Sequence, residues 1–172
     1  LDNGRPDLTS LWSTATISRV TWHPAENLRS PLASGSTPTD GMIAGVGSVN
    51  GNRFGEDKAR CMVLAYDYTV LAGTQGYFNH KKKDRMLKLC YDQKLPLVFF
   101  GEGGGGRPGD VDAEGVMVAG LDLRTFGLFA RLSGYVPVVG IVSGFCFAGN
   151  AALLGCCDVI IATTDSSIGM GG

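Results

Sequence analysis

The sequence has little charge and no excess of either sign. Only 18% of its 172 residues are Asp, Glu, Lys or Arg, and the formal net charge is −1. A nucleic-acid-binding domain would present a basic stripe, so this balance argues against that class of partner. The hydrophobic content of 44% is too high for a disordered chain, and the length allows one domain with a buried core.

Long apolar runs and paired cysteines are also missing. No apolar segment approaches the ~18 residues that a membrane helix needs, and the first residues do not resemble a signal peptide. We therefore expect a cytoplasmic protein without a membrane partner. The cysteines are odd in number and lack the spacing of a zinc site, which predicts reduced packing thiols and no metal: Cys61, Cys90, Cys146, Cys156 and Cys157.

Composition divides the chain into two parts. Residues 1–39 are rich in Ser, Thr and Pro, and we predict a loosely structured leader there. Residues 40–172 are apolar and rich in glycine, as expected of a folded domain. The final residues after Ile168 contain no charged tail and no helix end, so we expect the chain to be a section of a longer polypeptide.

Within residues 40–172, short apolar runs alternate with helical patterns. This alternation predicts right-handed βαβ units and a mostly parallel sheet, in which ligands bind beyond the carboxyl ends of the strands. The predicted helices cover residues 76–94 and 113–132, with a short one ending at Leu154. The predicted strands cover residues 42–49, 61–66, 96–100, 136–142 and 159–162.

Two glycine-rich turns follow predicted strands, at residues 103–106 and 144–149. Without a Cβ, such turns let backbone N–H groups approach a ligand, and two of them could converge on one oxygen to stabilise an enolate or a tetrahedral oxyanion. A tight loop without a ligand is the alternative. A phosphate loop is disfavoured because no Lys-Ser or Lys-Thr follows either turn, and a dinucleotide fingerprint fits poorly. The glycines alone leave the choice open.

Several segments of the sequence resemble segments of known protein families. Residues 143–158, SGFCFAGNAALLGCCD, resemble the crotonase superfamily segment in which a glycine turn opens a helix ending in Cys-Asp. Residues 40–51, 66–76 and 100–112, the last reading FGEGGGGRPGDVD, are similar to the carboxyltransferase domain of biotin-dependent acyl-CoA carboxylases, especially those fused to biotin carboxylase and biotin carrier modules. The resemblance spans residues 40–172. It implies an α/β fold, a crotonase-type ββα superhelix with a mostly parallel sheet, as the N-terminal half of a two-domain carboxyltransferase.

The resemblance also implies a reaction. A carboxyltransferase of this family moves a carboxyl group from carboxybiotin to the α-carbon of an acyl-CoA such as acetyl- or propionyl-CoA, through an enolate held by backbone oxyanion holes. Biotin is the implied cofactor, attached to a carrier domain on the same or another chain. The implied partners are acyl-CoA, the biotin carboxylase and carrier modules, a second carboxyltransferase half and further copies in a homo-oligomer. Without that second half, we expect these 172 residues to be inactive alone.

Carried over onto this sequence, the resemblance assigns the oxyanion-hole donors to Gly104 or Gly105 in the first turn and to Gly149 or Ala148 in the second. The candidate substrate-binding residues beside them are Gly103, Gly106, Arg107 and Phe147. Arg107 could contact a phosphate or, alternatively, brace the glycine loop by pairing with Asp110 or Asp112. The basic run of His80, Lys81, Lys82 and Lys83 is a candidate for the CoA phosphates, with a solvated helix start as the alternative.

Two other functions stay open. A single-domain crotonase-like hydratase, isomerase or decarboxylase would carry a catalytic carboxylate near the turns, yet that position here is Ala152. Glu102 lies beside the first glycine turn and is the other candidate for a base. A non-catalytic binding or assembly domain is the third possibility. Among the remaining polar residues, we expect Asp158 to bind backbone and Asn150 to orient the second turn.

Overall fold

The computed structural model describes residues 40–108 and 123–171 of the chain. A short 3-10 turn at Leu71–Gly73 precedes the longest helix. The helices are α1 (Gly51–Phe54), α2 (Tyr77–Gln93), α3 (Thr125–Ala130) and α4 (Gly149–Leu154). The strands are β1 (Met42–Ser48), β2 (Arg60–Tyr66), β3 (Leu97–Phe100), β4 (Val138–Val142), β5 (Phe145–Phe147), β6 (Val159–Ala162) and β7 (Ser167–Gly169).

Five strands form the main sheet in the order β1-β2-β3-β4-β6. The first pair is antiparallel, with Met42 opposite Tyr66, and the other three pairs are parallel. The predicted mostly parallel sheet is therefore confirmed. The carboxyl ends of β3 and β4 lie at the same edge because these strands are parallel neighbours, and the two glycine turns begin there.

Strands β5 and β7 pair in parallel as a second, two-stranded sheet, with Phe145 opposite Ser167. Strand β5 lies within the segment that we predicted as the second glycine turn. Its pairing with β7 fixes the path of the chain into α4, because the Ala148 N–H donates to the Gly169 carbonyl at 2.9 Å.

The core lies between the main sheet and the inner faces of α2 and α3. Helix α2 buries Leu87 and Cys90, as its apolar spacing predicts. Phe129 of α3 packs edge-on against Phe99 of β3, with ring centroids 5.2 Å apart. Burial of this apolar surface is the main stabilising term of the domain.

The predicted helix at residues 113–132 is present as α3 in its C-terminal part, and residues 109–122 lie outside the described residues. The predicted leader, residues 1–39, also lies outside them. The five cysteines are free thiols, and burial raises the pKa of Cys90 to about 12. Within the described segments, no helix combines the length and the apolar character needed to cross a bilayer.

Candidate active site

The first glycine turn is clamped on both sides by backbone hydrogen bonds. The Gly103 N–H donates to the Phe145 carbonyl at 2.8 Å, and the Phe147 N–H donates back to the Gly103 carbonyl at 2.8 Å. Gln75 lies beside Gly106, three residues after Gly103. The Gln75 N–H donates to the Gly105 carbonyl at 2.7 Å. These contacts bridge the turn to β5 on one side and to the segment before α2 on the other.

The second turn contains a backbone conformation that side chains rarely adopt. Ala148 has φ 49° and ψ −119°, directly before α4. A non-glycine residue held in such a sparsely populated region costs about 1–3 kcal/mol and persists where the surroundings require it. The strained residue places Gly149 at the start of the helix, next to the first turn.

The two turns meet. Gly105 has φ +91°, and a methyl group built on it would lie 2.7 Å from the Ala148 Cβ and 3.5 Å from the Gly149 N. Glycine at this position thus allows the backbone of one turn to lie against that of the other. The juxtaposition expected from the sequence is present at the carboxyl ends of β3 and β4.

Three of the four N–H groups assigned to the oxyanion hole already donate within the chain. The Gly104 N–H binds the Ala72 carbonyl at 3.1 Å, and the Gly105 N–H binds the Asn150 Oδ1 at 3.1 Å. The Ala148 N–H binds the Gly169 carbonyl. For the Gly149 N–H, residues 40–108 and 123–171 supply no acceptor. Of the four, Gly149 is therefore the candidate donor to a ligand oxygen.

The Asn150 side chain connects the two turns by hydrogen bonds. Its side chain is fully buried. The Oδ1 accepts hydrogen bonds from the Gly105 N–H and from the Gln75 Nε2, both at 3.1 Å. The Nδ2 faces the carbonyl oxygens of Gly73, Gly101 and Glu102 at 3.3–3.4 Å. We expected Asn150 to orient the second turn, to which it belongs. Its amide instead holds the first turn through the Gly105 N–H.

The basic run, residues 80–83, contains both buried and partly exposed side chains. Lys83 is 0% exposed, and its Nζ donates to the Tyr66 hydroxyl and, at 3.2 Å, to the Gln75 Oε1. Burial lowers the pKa of the Lys83 amine well below its usual value, and the nearby Asp84 charge opposes this shift. A residue without solvent access cannot meet a CoA phosphate, so we do not carry Lys83 forward as a phosphate contact.

His80 is also buried. Its Nδ1 lies 2.8 Å from the Thr125 hydroxyl, which donates to the Asp84 carboxylate. Burial, together with the Lys83 charge, lowers the pKa of His80 to about 3. His80 is therefore a neutral residue of the α2–α3 contact, and it is not carried forward as a phosphate contact either.

The burial of His80 and Lys83 could have been predicted from their spacing along α2. Lys83 and His80 lie four and seven residues before the buried Leu87, which places them on the same face of the helix. The remaining lysines of the run differ from them. Lys82 pairs with Asp40 at 3.2 Å, and the half-exposed Lys81 lies over the Tyr77 ring.

Arg107 and Glu102 brace the turn. Arg107 is 3% exposed, and its guanidinium donates to the Thr74 carbonyl at 3.1 Å and to the Thr74 hydroxyl at 3.3 Å. The partners expected for it, Asp110 and Asp112, lie outside the described residues. The Glu102 carboxylate accepts the Ser143 N–H at 2.7 Å and thereby links the ends of β3 and β4.

Aromatic side chains flank the second turn. Phe147 is half-buried and stacks on Phe145. Phe126 of α3, which the sequence did not single out, is 40% exposed, and its Cζ lies 3.6 Å from the position of a methyl group on Gly149. Phe126 thus supplies an apolar surface beside the Gly149 N–H. On the far side of α4, the Asp158 carboxylate accepts the Val138 N–H at 2.8 Å, the backbone contact that we expected.

Residues 14–172 match the carboxyl transferase domain family. The chain belongs to this family. The match begins within the segment predicted as a leader. The fold is the crotonase type found in carboxyltransferases, with the glycine turns at the carboxyl ends of β3 and β4.

Curated members of the carboxyl transferase family resemble this chain over much of its length. The biotin-dependent long chain acyl-coenzyme A carboxylase beta4 subunit of Mycobacterium tuberculosis is 30% identical over 73% of this chain and 22% of that protein. The propionyl-CoA carboxylase beta chain of Saccharopolyspora erythraea is 30% identical over 64% of this chain and 18% of that protein. The chain therefore spans less than a quarter of either relative.

Solved structures show the same relationship. A single-chain, multi-domain long-chain acyl-CoA carboxylase is 58% identical, with a TM-score of 0.72 over 80% of this chain and 13% of that one. The beta subunit of the geranyl-CoA carboxylase of P. aeruginosa is 30% identical, with a TM-score of 0.63 over 77% of this chain and 24% of that one.

Proposed function

We propose that this carboxyl transferase domain binds the acyl group of an acyl-CoA in a biotin-dependent acyl-CoA carboxylase. The observation that carries the proposal is the Gly149 N–H. It follows a strained Ala148, lies against the other glycine turn at Gly105, and has no acceptor in the described part of the chain. An N–H group held in this way is suited to bind the oxygen of a thioester.

In the proposed reaction, the Gly149 N–H stabilises the thioester oxygen as that oxygen gains negative charge in the enolate. Losing one such donor typically costs ~3–4 kcal/mol of transition-state stabilisation. The N–H group needs no reorganisation, because Asn150, the next residue, is anchored on Gly105. Gly106 is the proposed second donor, since its N–H also has no acceptor among residues 40–108 and 123–171.

In this proposal, no side chain of the described residues at the two turns serves as the base. The Glu102 carboxylate is occupied by the Ser143 N–H, and the position where hydratases of this fold carry an acid is Ala152. These residues fit a reaction in which the base comes from the cofactor. Carboxybiotin, when its carrier brings it to the site, would supply the carboxyl group, and the biotin left after that release would take the α-proton. The contribution of this chain is then geometry and backbone dipoles.

For the substrate, we propose an acyl-CoA with a long chain ahead of acetyl- or propionyl-CoA. The 58% identity with the long-chain enzyme exceeds the 30% identity with the propionyl-CoA carboxylase chain. The exposed ring of Phe126 beside Gly149 offers apolar surface to an acyl chain. Of the basic run, Lys81 is the residue that we propose to meet the CoA phosphates.

The proposed partners are those that the resemblance to the carboxyltransferase family implies. They are biotin carboxylase and biotin carrier modules, a second carboxyltransferase half that completes the site, and further copies of the protein in an oligomer. A hydratase or isomerase is the alternative enzyme class, and Ala152 disfavours it because that position is not ionisable.

The test uses the full-length protein that contains this domain. It is incubated with ATP, bicarbonate, biotinylated carrier and either acetyl-CoA, propionyl-CoA or a long-chain acyl-CoA, and the carboxylated products are measured by mass spectrometry. We expect carboxylation that depends on biotin and is fastest with the long chains. Hydration of an enoyl-CoA without any carboxylation would overturn the proposal, and a preference for propionyl-CoA would overturn only its substrate part.

A further inference from the structure

A chain of buried hydrogen bonds runs from α2 to the glycine turns. It begins at the Tyr66 hydroxyl and the Lys83 Nζ, continues through the Gln75 amide and ends at the Asn150 amide. Each of its side chains is at least nine-tenths buried. The sequence separation of 75 residues between Gln75 and Asn150 makes this a tertiary feature.

Lys83 sets the donor and acceptor direction of the hydrogen bonds in this chain. The Lys83 amine donates to the Gln75 Oε1 at 3.2 Å, which leaves the Gln75 Nε2 to face Asn150. The Asn150 Oδ1 accepts from that Nε2 and from the Gly105 N–H, while its Nδ2 faces three carbonyl oxygens. Rotating either amide by half a turn would set donor against donor or acceptor against acceptor, so the chain has one satisfied orientation.

Gln75 also lies under the second turn. A methyl group on Gly149 would lie 2.9 Å from the Gln75 Nε2. The backbone of Gln75 brackets Gly106 in the first turn. One residue therefore contacts both turns, and Lys83 fixes the orientation of its side chain.

We propose that Lys83 and Gln75 are positioning residues that hold the Gly149 N–H on the acyl oxygen by fixing the Asn150 amide between the two glycine turns. The proposal rests on the proposed function for its catalytic consequence. Its structural part, the protection of the Gly105 N–H by Asn150, can be measured without any reaction.

The experiment compares full-length enzymes carrying Lys83→Met, Gln75→Met or both with the wild type. Methionine retains the unbranched shape and removes the polar groups. Lys88→Met is the matched control, because Lys88 is on the same helix and its exposed side chain pairs with Asp92 on the surface. The measurements are kcat and KM for acyl-CoA, and hydrogen–deuterium exchange of the peptides that contain residues 101–107 and 148–154.

We expect kcat to fall about ten- to a hundredfold in both single variants, since small misplacements of a reacting group cost this much. KM should stay within about twofold, because ground-state binding does not depend on this alignment. The double variant should lose little more than either single one, since both cut the same chain. Exchange at residues 101–107 should become faster, and Lys88→Met should match the wild type in every measurement.

Unchanged kcat together with unchanged exchange in folded variants would overturn the proposal, as would a rise of KM with kcat preserved. If Lys83→Met does not fold, Gln75→Met decides the question, because it cuts the chain one step nearer to Asn150. If the wild-type enzyme carboxylates no acyl-CoA, the proposed function fails. The exchange data then still decide whether Lys83 and Gln75 hold the turns.

Discussion

The side chain of Asn150 binds the backbone of Gly105. The Oδ1 of Asn150 accepts the Gly105 N–H at 3.1 Å across a sequence separation of 45 residues. Asn150 directly follows Gly149, so the residue that carries the proposed oxyanion donor is covalently attached to the one that anchors the opposite turn. Movement of either turn would therefore displace both, which explains how a glycine-rich site keeps a defined geometry.

The tight contact at Gly103 makes a matched pair of glycine substitutions informative. In Gly103→Ala, the new methyl group would lie 2.1 Å from the Asn150 Nδ2 and 2.3 Å from the Gly73 carbonyl, so we expect a loss of about 1–3 kcal/mol or more in unfolding free energy. The methyl group of Gly127→Ala in α3 meets no atom of the described residues within 4 Å, and this variant should raise stability by about 0.5–1 kcal/mol. Thermal melting of both variants checks the pair, and equal shifts would contradict it.

Removing the Gly149 N–H should impair turnover more than binding. Gly149→Pro eliminates the donor, and we expect kcat to fall about 10²- to 10³-fold in the full-length enzyme. Gly149→Ala is the control that keeps the N–H while adding a methyl group near Gln75. Circular dichroism must first show intact folding, because a proline after Ala148 also strains the turn. A folded Gly149→Pro enzyme with the turnover of the wild type would remove Gly149 from the site.

Lys81 should contribute to CoA affinity in a salt-dependent way. We expect Lys81→Ala to raise KM for acyl-CoA about two- to fivefold at low ionic strength, with a smaller effect at high salt, because exposed charges are screened within ~8–10 Å at ordinary salt. Lys88→Ala is the control on the same helix. Identical KM values for the two variants at every salt concentration would show that Lys81 is only a solvated surface charge.

His80 should make the protein less stable as the pH falls. Its pKa is about 3 in the folded protein, against 6.5 when unfolded, so between these values the unfolded state binds more protons. The contribution of His80 to stability is complete above pH 6.5 and decreases as the pH is lowered towards 3. His80→Asn, whose Nδ2 can replace the Nδ1, should remove this component. Melting temperatures between pH 4 and 8 test the difference, and parallel curves would refute it.

The 172 residues by themselves should not carboxylate acyl-CoA. The chain spans 22% of the long-chain carboxylase beta4 subunit, and the site that we propose needs a second half to bring carboxybiotin to it. An assay of this chain with carboxylated biotin carrier and acyl-CoA should give no product above background. Robust turnover would show that one half forms a complete site.

Local patterns predicted most secondary-structure elements well. The predicted strands at 61–66, 96–100 and 159–162 correspond to Arg60–Tyr66, Leu97–Phe100 and Val159–Ala162, and the helix at 76–94 to Tyr77–Gln93. Apolar runs bounded by turn residues carry this information in the chain itself. The predicted turn at residues 144–149 contains β5, which local patterns could not show because its partner β7 lies some twenty residues further on.

The sequence by itself determined the family, the parallel sheet and the positions of the two glycine turns, since these follow from local composition and motif order. Only the tertiary structure decided which N–H groups are free. The N–H groups of Gly104, Gly105 and Ala148 donate to acceptors from distant segments, whereas that of Gly149 has no acceptor within residues 40–108 and 123–171. It also decided that Lys83 joins the interior, because burial depends on which face of α2 meets the sheet, and a hydrogen-bond partner such as Gln75 exists only once the chain has folded.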